Sequence, residues 1–488
     1  MTKTINTGLG VYLALAAGTL FAQDAKTVLL DAQKAIGNPQ SIQYSGTGNY
    51  AFFGQALSPG KDWPKRDLKS YKRTINYDQK SSREDFALVA PTFGGQSQNF
   101  EVNGDKTWTV GADGAPSAQI APNGTFAAAT SPEERQLQIW LTPHGFLRAA
   151  LAAGDAKVKS QTEAGKKVKV VTFTALGKYK VSGTIDDQNQ VVKVETKIDN
   201  PVLGDMAVVS TYSDYKDFNG IKFPARITQT KDGFVLADYT IDSVQPNAPV
   251  DLPVPPAVQS AELQHTKVET TRVADGVWFV GGSTHHSVVV EFKNYVALIE
   301  TPLNEERAEA VIAEAKKLVP NKPVRYVINT HHHFDHSGGL RTAVAEGATI
   351  IAPSLDKAYY EKSFRAPATL VPDAQAKNPK KVNIIGVTDK YVLTDGTQSI
   401  EVYVTPGDTH TEDMLIAYIP SAKAVVEADS YSPAAANAAP PSPTPPNALN
   451  LYNNIQRLKL DVAVVIGIHG RGPVPYSEFV KFVGKVQS

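Results

Sequence analysis

Apolar and polar positions alternate with a period of two through much of the first half of the chain. Ile42-Gln43-Tyr44, Phe100-Glu101-Val102 and Val168-Lys169-Val170 are examples, and further runs fall at 171–174, 191–196, 206–212 and 234–241. Turn-forming clusters separate them, such as Asp186-Asp187-Gln188-Asn189 and Lys231-Asp232-Gly233. Alternation of this kind predicts antiparallel strands with one face on a core and the other in water. A short helix is expected ahead of them at 25–36. One helical insertion is expected at 132–153, opened by Ser131 with Glu134 three residues later, the spacing of a capping box. Residues 23–245 therefore read as an α+β domain with a mostly antiparallel sheet.

The pattern then changes. Residues 246–262 hold five prolines and little periodicity, which reads as a stiff linker. Beyond it, over 263–488, apolar strand-like runs alternate with helical spacing. Strand pairs are predicted at 273–280 and 287–298, then a helix at 304–318, a strand at 324–328 and a helix at 340–346. A strand at 349–352 and a helix near 354–363 follow, then strands at 399–405, 414–419 and 424–426. A Pro/Ala-rich loop at 433–447, a helix at 449–458, a strand at 462–466 and a helix near 477–486 complete an α/β pattern.

Composition narrows the chemistry. Lys+Arg and Asp+Glu are equal at 49 each, so no net field favours nucleic acid or an acidic membrane surface. The chain has no cysteine, which removes disulfides, thiolate ligands and cysteine nucleophiles, so any metal site must be built from His and carboxylates. Lys3 followed by the apolar stretch 8–22 reads as a secretory signal over 1–22, with cleavage after Ala22. The expected product is periplasmic or secreted. No later run reaches membrane-spanning length, and no cysteine follows the apolar stretch to carry a lipid.

The densest chemical signal follows the strand at 324–328. There Asn329-Thr330-His331-His332-His333-Phe334-Asp335-His336-Ser337-Gly338-Gly339 packs four of the ten histidines into six positions, with an Asp among them and two glycines after. Alternation places His331 and His333 on one side, while Asp335 and His336 turn toward a second point. Imidazole and carboxylate suit a borderline divalent cation when sulfur is absent.

The run His331-x-His333-x-Asp335-His336 resembles the signature of the metallo-β-lactamase superfamily, and three later elements agree in order. They are His410 in Thr405-Pro406-Gly407-Asp408-Thr409-His410, Asp429 at the end of an apolar strand, and His469 after the strand at 462–466. The resemblance implies a four-layer αββα fold for the C-terminal domain, with two metal ions. His331, His333 and His410 would hold the first, Asp335, His336 and His469 the second, and Asp429 would bridge them. Zinc is the expected metal, with iron or manganese open, because such donors discriminate weakly. The implied activity is hydrolysis of a small ester, lactone, lactam or similar acyl substrate by a bridging hydroxide, with Asp335 also moving the proton. Glu300 stands where the family usually has Asp.

His285, His286, Tyr431 and Arg471 lie near these positions in sequence and are candidates for substrate contact, whereas His332 is expected to point away from the metals. A phosphodiester or sulfate ester is the alternative substrate. A different alternative is an envelope protein that carries a lipid or hydrophobic ligand through its N-terminal sheet. Two local matches fail on context: Gly46-x-Gly48 lies within strand-type alternation with no following helix, and Ser354-x-x-Lys357 lacks its companion motifs.

Overall fold

The computed structural model describes residues 24–92, 95–118, 131–262, 265–282, 284–433 and 439–485. The expected signal segment lies outside these residues.

The N-terminal region is one large antiparallel sheet with few helices. Its thirteen strands run as two meanders, from Ser41–Ala51 to Pro116–Ala118 and from Lys157–Glu163 to Phe234–Pro246. The first and last strands join them, pairing Ile42 with Pro246 and Tyr50 with Ala237. Alternating residues from both meanders fill one core, together with the helix Ala25–Ile36. The expected helical insertion is two helices, Pro132–Trp140 and Pro143–Ala152. Pro143 disfavours helical geometry in the residue before it and has no N–H to continue the ladder. Thr142 is accordingly extended and caps the second helix by accepting from Gly145 N, as Ser131 caps the first by accepting from Glu134 N.

The proline-rich stretch after the last strand lies along this region. Ser41 Oγ donates to Ala248 O at 2.6 Å, Asn103 Nδ2 donates to Leu252 O at 2.8 Å, and Val258 is buried.

The C-terminal part holds two further sheets. Seven strands from Glu269–Ala274 to Ile384–Val387 form the first, and six from Lys390–Thr394 to Pro473–Pro475 form the second. In the first, strands Val296–Ile299, Val324–Ile328, Thr349–Pro353 and Ile384–Val387 are parallel neighbours. Parallel pairing requires crossovers, and the helix Glu305–Leu318 supplies the one before Val324. That helix is well terminated: Asn304 caps it by accepting from Arg307 N, with Glu305 and Glu306 in the first turn and Lys316 and Lys317 in the last. The apolar faces of the two sheets share one cluster, in which Val288, Ile328 and Ile351 meet Val402, Ala417 and Val426. The expected strand pairs resolve into hairpins, Glu269–Ala274 with Val277–Gly281 and Ser287–Glu291 with Val296–Ile299. No helix among the described residues is long and apolar enough to cross a membrane.

Candidate metal centre

Strand Val324–Ile328 is buried at its end and leads directly into the histidine loop. The loop is fixed from behind. Thr330 N donates to Glu300 Oε1 at 2.6 Å, Asn329 Nδ2 donates to the carbonyl of His336 at 3.1 Å, and Leu415 N donates to Thr330 O at 2.9 Å. The loop is thereby tied to both C-terminal sheets.

His331, His333 and His410 come together, one ring nitrogen of each lying within 4.8 Å of the others. Their unused nitrogens are informative. His331 Nδ1 lies 3.0 Å from Thr330 Oγ1, and His333 Nε2 donates to Ala56 O at 2.9 Å. The opposite nitrogens, His331 Nε2 and His333 Nδ1, have no hydrogen-bond partner among the described residues, and neither does His410 Nε2. Buried imidazole nitrogens are normally satisfied, so three unsatisfied ones in one place call for a cation. Burial and neighbouring imidazoles push His331 well below the usual histidine range, and burial beside His410 takes His333 down to about 3. Both rings therefore stay in the neutral form that binds metal.

A second group contains His285, Asp335, His336 and His469. His336 Nε2 is 3.3 Å from Asp335 Oδ2 and 3.2 Å from His469 Nε2, and His285 Nε2 donates to Asp335 Oδ2 at 2.9 Å. Glu300 Oε2 sits 3.4 Å behind His336 Nδ1, so the extra methylene relative to Asp is accommodated with the carboxylate still facing the ring.

Asp429 lies between the groups. Its Oδ1 is 3.7 Å from His410 Nε2 and 3.2 Å from His469 Nε2, while its Oδ2 is 3.6 Å from His331 Nε2 and 2.7 Å from His336 Nε2. A left-handed backbone at φ 58° aims it there. Buried Glu427 closes that turn by accepting from Ser430 N at 3.1 Å and Tyr431 N at 3.0 Å. Burial raises Asp429, but His336 outweighs it and holds the carboxyl well below its usual range. On His336, burial acts downward, and Asp429 with Asp335 reverses it and raises the ring well above the usual range.

The N-terminal region also reaches this centre. Gln55 Nε2 donates to Asp335 Oδ1 at 2.7 Å, and Phe334 N donates to Gly54 O at 3.3 Å. Phe334 packs edge-on against Phe53, with ring centroids 5.2 Å apart. Nothing in the sequence near 50–60 carries a signal for this. Gln55 and Ala56 are ordinary residues some 280 positions before the motif they touch.

The remaining candidates separate. His285 belongs to the second group. His286 is turned away, donating to Gly470 O at 2.7 Å and packing on Phe279. Tyr431 packs between Phe479 and Phe482, in an apolar cluster with Ile416, Val425 and Val465 of the second C-terminal sheet. Arg471 is paired with Glu478. His332 donates to Asp413 Oδ2 at 2.7 Å, in a separate buried group with Asp356.

Part of the chain is similar to known proteins. Residues 280–430 match the family model described as the metallo-beta-lactamase superfamily. The C-terminal part has the metallo-β-lactamase fold, and the match to that superfamily lies within it. A linear primary-alkylsulfatase of Pseudomonas sp is 36% identical over 75 residues, which are 15% of this chain and 11% of that protein. The alkyl/aryl-sulfatase BDS1 of Saccharomyces cerevisiae is 27% identical over 156 residues, 29% of this chain and 24% of that protein. The chain thus spans less than a quarter of the length of either curated relative. Among solved structures, a metallo-beta-lactamase from Pontibacter korlensis is 21% identical, covering 45% of this chain and 98% of its own, with TM-score 0.34. The inverting sec-alkylsulfatase Pisa1 from Pseudomonas sp. is 20% identical, covering 44% and 40%, with TM-score 0.33.

Proposed function

We propose that the chain is a dinuclear metal-dependent hydrolase of small esters, with zinc as the metal and iron or manganese as alternatives. The observation that carries this reading is the convergence of three unsatisfied imidazole nitrogens beside a second His/Asp group, with the Asp429 carboxylate facing both. When bound, two divalent cations would supply Lewis acidity toward the ester oxygen and a water acidic enough to ionise near neutral pH. His331, His333 and His410 would hold one ion, Asp335, His336 and His469 the other, and Asp429 both. His285 stands beside Asp335 to donate to it. With Oδ1 held by Gln55 and Oδ2 accepting from His285, Asp335 would take up the proton through Oδ2.

Acyl and sulfate esters are the two substrate classes to separate. Two curated relatives named as alkylsulfatases favour a sulfate ester. The deciding experiment compares turnover of 4-nitrophenyl sulfate, a primary alkyl sulfate, 4-nitrophenyl acetate, a lactone and bis(4-nitrophenyl) phosphate by metal-replete protein and by His331→Ala. Sulfate turnover that is lost in the variant supports the sulfatase reading. Turnover of acyl esters alone replaces it with the acyl reading, and turnover that survives in the metal-free variant removes the mechanism.

The layering of the C-terminal domain as helix, sheet, sheet, helix is part of the same reading. It is supported by apolar clusters that join Val311 and Leu340 to the outer face of the first sheet, and Leu451 and Phe479 to that of the second. We also read residues 1–22 as an export signal and 246–262 as the divide between two domains, which places the enzyme in the periplasm or outside the cell.

A further inference from the structure

The metal site leaves unused a cavity in the N-terminal region, whose lining residues all lie between Tyr44 and Tyr239. We infer that this cavity is a second ligand site, for a small organic monoanion whose charged end pairs with Arg135 and whose apolar part lies against Tyr and Phe rings.

Three observations support it. First, Arg135, on the helix Pro132–Trp140, is only 6% exposed and lines the cavity, and its Nε and Nη2 have no hydrogen-bond partner among the described residues. A buried guanidinium without an acceptor costs several kcal/mol, so natural proteins supply a counter-charge. The Phe100 ring, 4.2 Å from the guanidinium carbon, offsets part of this but accepts none of those N–H bonds. Second, the charged residues of the lining do not cancel. Arg73 and Arg135 face a single carboxylate, Glu84, which is already engaged by the Tyr71 hydroxyl at 2.6 Å, while Arg73 Nε is held by Ser82 Oγ at 3.3 Å. The balance calls for one added negative charge. Third, the walls are amphipathic. Tyr44, Tyr50, Tyr71, Tyr239 and Phe100 supply aromatic rings to the lining, and Gln138 and Gln229, hydrogen-bonded to each other at 3.0 Å, supply amides. The cavity has a volume of about 70 Å³, enough for a group of several non-hydrogen atoms. A carboxylate or a sulfate monoester with a short chain matches this charge and size. Burial takes Arg135 down only to about 10, so it remains charged at neutral pH.

The site is independent of the hydrolase reading and can be tested with the metal centre emptied. Full-length, metal-free protein is titrated calorimetrically with hexanoate, hexyl sulfate and hexan-1-ol. The expected result is one site per chain that binds at least one anion tenfold or more tighter than the alcohol. Arg135→Met should lower anion affinity tenfold or more and leave the alcohol unchanged, and Gln138→Trp, which adds bulk to the lining, should weaken all three. Equal affinity for anion and alcohol, no binding, or undiminished anion binding in a folded Arg135→Met protein overturns the inference. If Arg135→Met does not fold, the wild-type ratio together with Gln138→Trp decides it.

Discussion

Gln55 and Asp335 are 280 positions apart, yet the amide of one holds an oxygen of the other at 2.7 Å. Both are buried, and the contact fixes which carboxylate oxygen faces His285 and His336. Partners that orient a ligand from behind commonly contribute about 10- to 100-fold in metal affinity. Gln55→Leu should therefore weaken binding of the ion proposed for the Asp335 group by that order while the protein stays folded. Chelator competition on the apoprotein measures it, and an unchanged dissociation constant would remove Gln55 from the centre. Gln55→Glu should do more harm, because it sets a second carboxylate against Asp335.

Removal of the ligands separates binding from chemistry. His331→Ala deletes a donor whose free nitrogen faces both His410 and Asp429. Metal content should fall by about one ion per chain, with hydrolysis down by at least about three orders of magnitude, in line with losing a lowered-pKa water. Chelation of the wild type should produce the same loss, reversed by added zinc. Elemental analysis alongside turnover checks both. Full activity in a protein shown to be metal-free would end the hydrolase mechanism.

Gly54 tests how tightly the two parts of the chain are coupled. Its φ of 77° is one that only glycine adopts freely, and a Cβ there would lie 2.6 Å from Cγ of Phe334. Phe334 adjoins Asp335 and packs with Phe53 and Trp63. Gly54→Ala must push that ring or shift the loop that carries Gln55 and Ala56. A destabilisation of roughly 1–3 kcal/mol is expected from overpacking and strain together. The decisive reading is metal affinity, which should fall as it does in Gln55→Leu. A variant that loses stability but keeps its metal affinity would show that the contact is only structural.

How much of this could be read from the chain depends on where each signal lies. His331, His333, Asp335 and His336 are legible because their spacing is local and their residue types are rare together. His410, Asp429 and His469 are legible only in their order after strands, and the structure brings all three to the loop. Tyr431 looked like a neighbour of the site because it follows Asp429 by two residues. The turn closed by Glu427 sends it instead to Phe479 and Phe482. Gln55 and Ala56 carry no local signal, since the contact exists only after the sheets meet. Period-two alternation marked some of the strands of the first half and not others, such as Lys65–Asn76 and Ile221–Lys231, and alternation does not specify partners. The pairing of Ser41–Ala51 with Phe234–Pro246, which joins the two meanders into one sheet, was therefore not legible. The break at Pro143 was legible in principle from the residue alone, and the helical spacing on both sides concealed it.

His144 gives a pH dependence that is separate from the metal centre. It is 2% exposed, lies parallel to Phe223, and donates from Nε2 to Ile36 O at 3.2 Å, joining the helix Pro143–Ala152 to the end of the helix Ala25–Ile36. Burial takes its pKa from 6.5 down to about 4. Above pH 6.5 the ring is neutral in both folded and unfolded chains, and the full stability is present. Between 6.5 and 4 the unfolded chain binds the proton and the folded one does not, so stability falls with falling pH, by roughly 3 kcal/mol over the whole window. Below pH 4 both forms are protonated and this contribution has no further slope. Carboxylates also titrate toward the acid end, so the difference between wild type and His144→Gln isolates the ring. Denaturant unfolding at pH 7 and pH 4.5 should show the wild type losing about 2–3 kcal/mol more than the variant across that interval. Equal losses in the two proteins would mean that the ring takes up its proton without disturbing the fold.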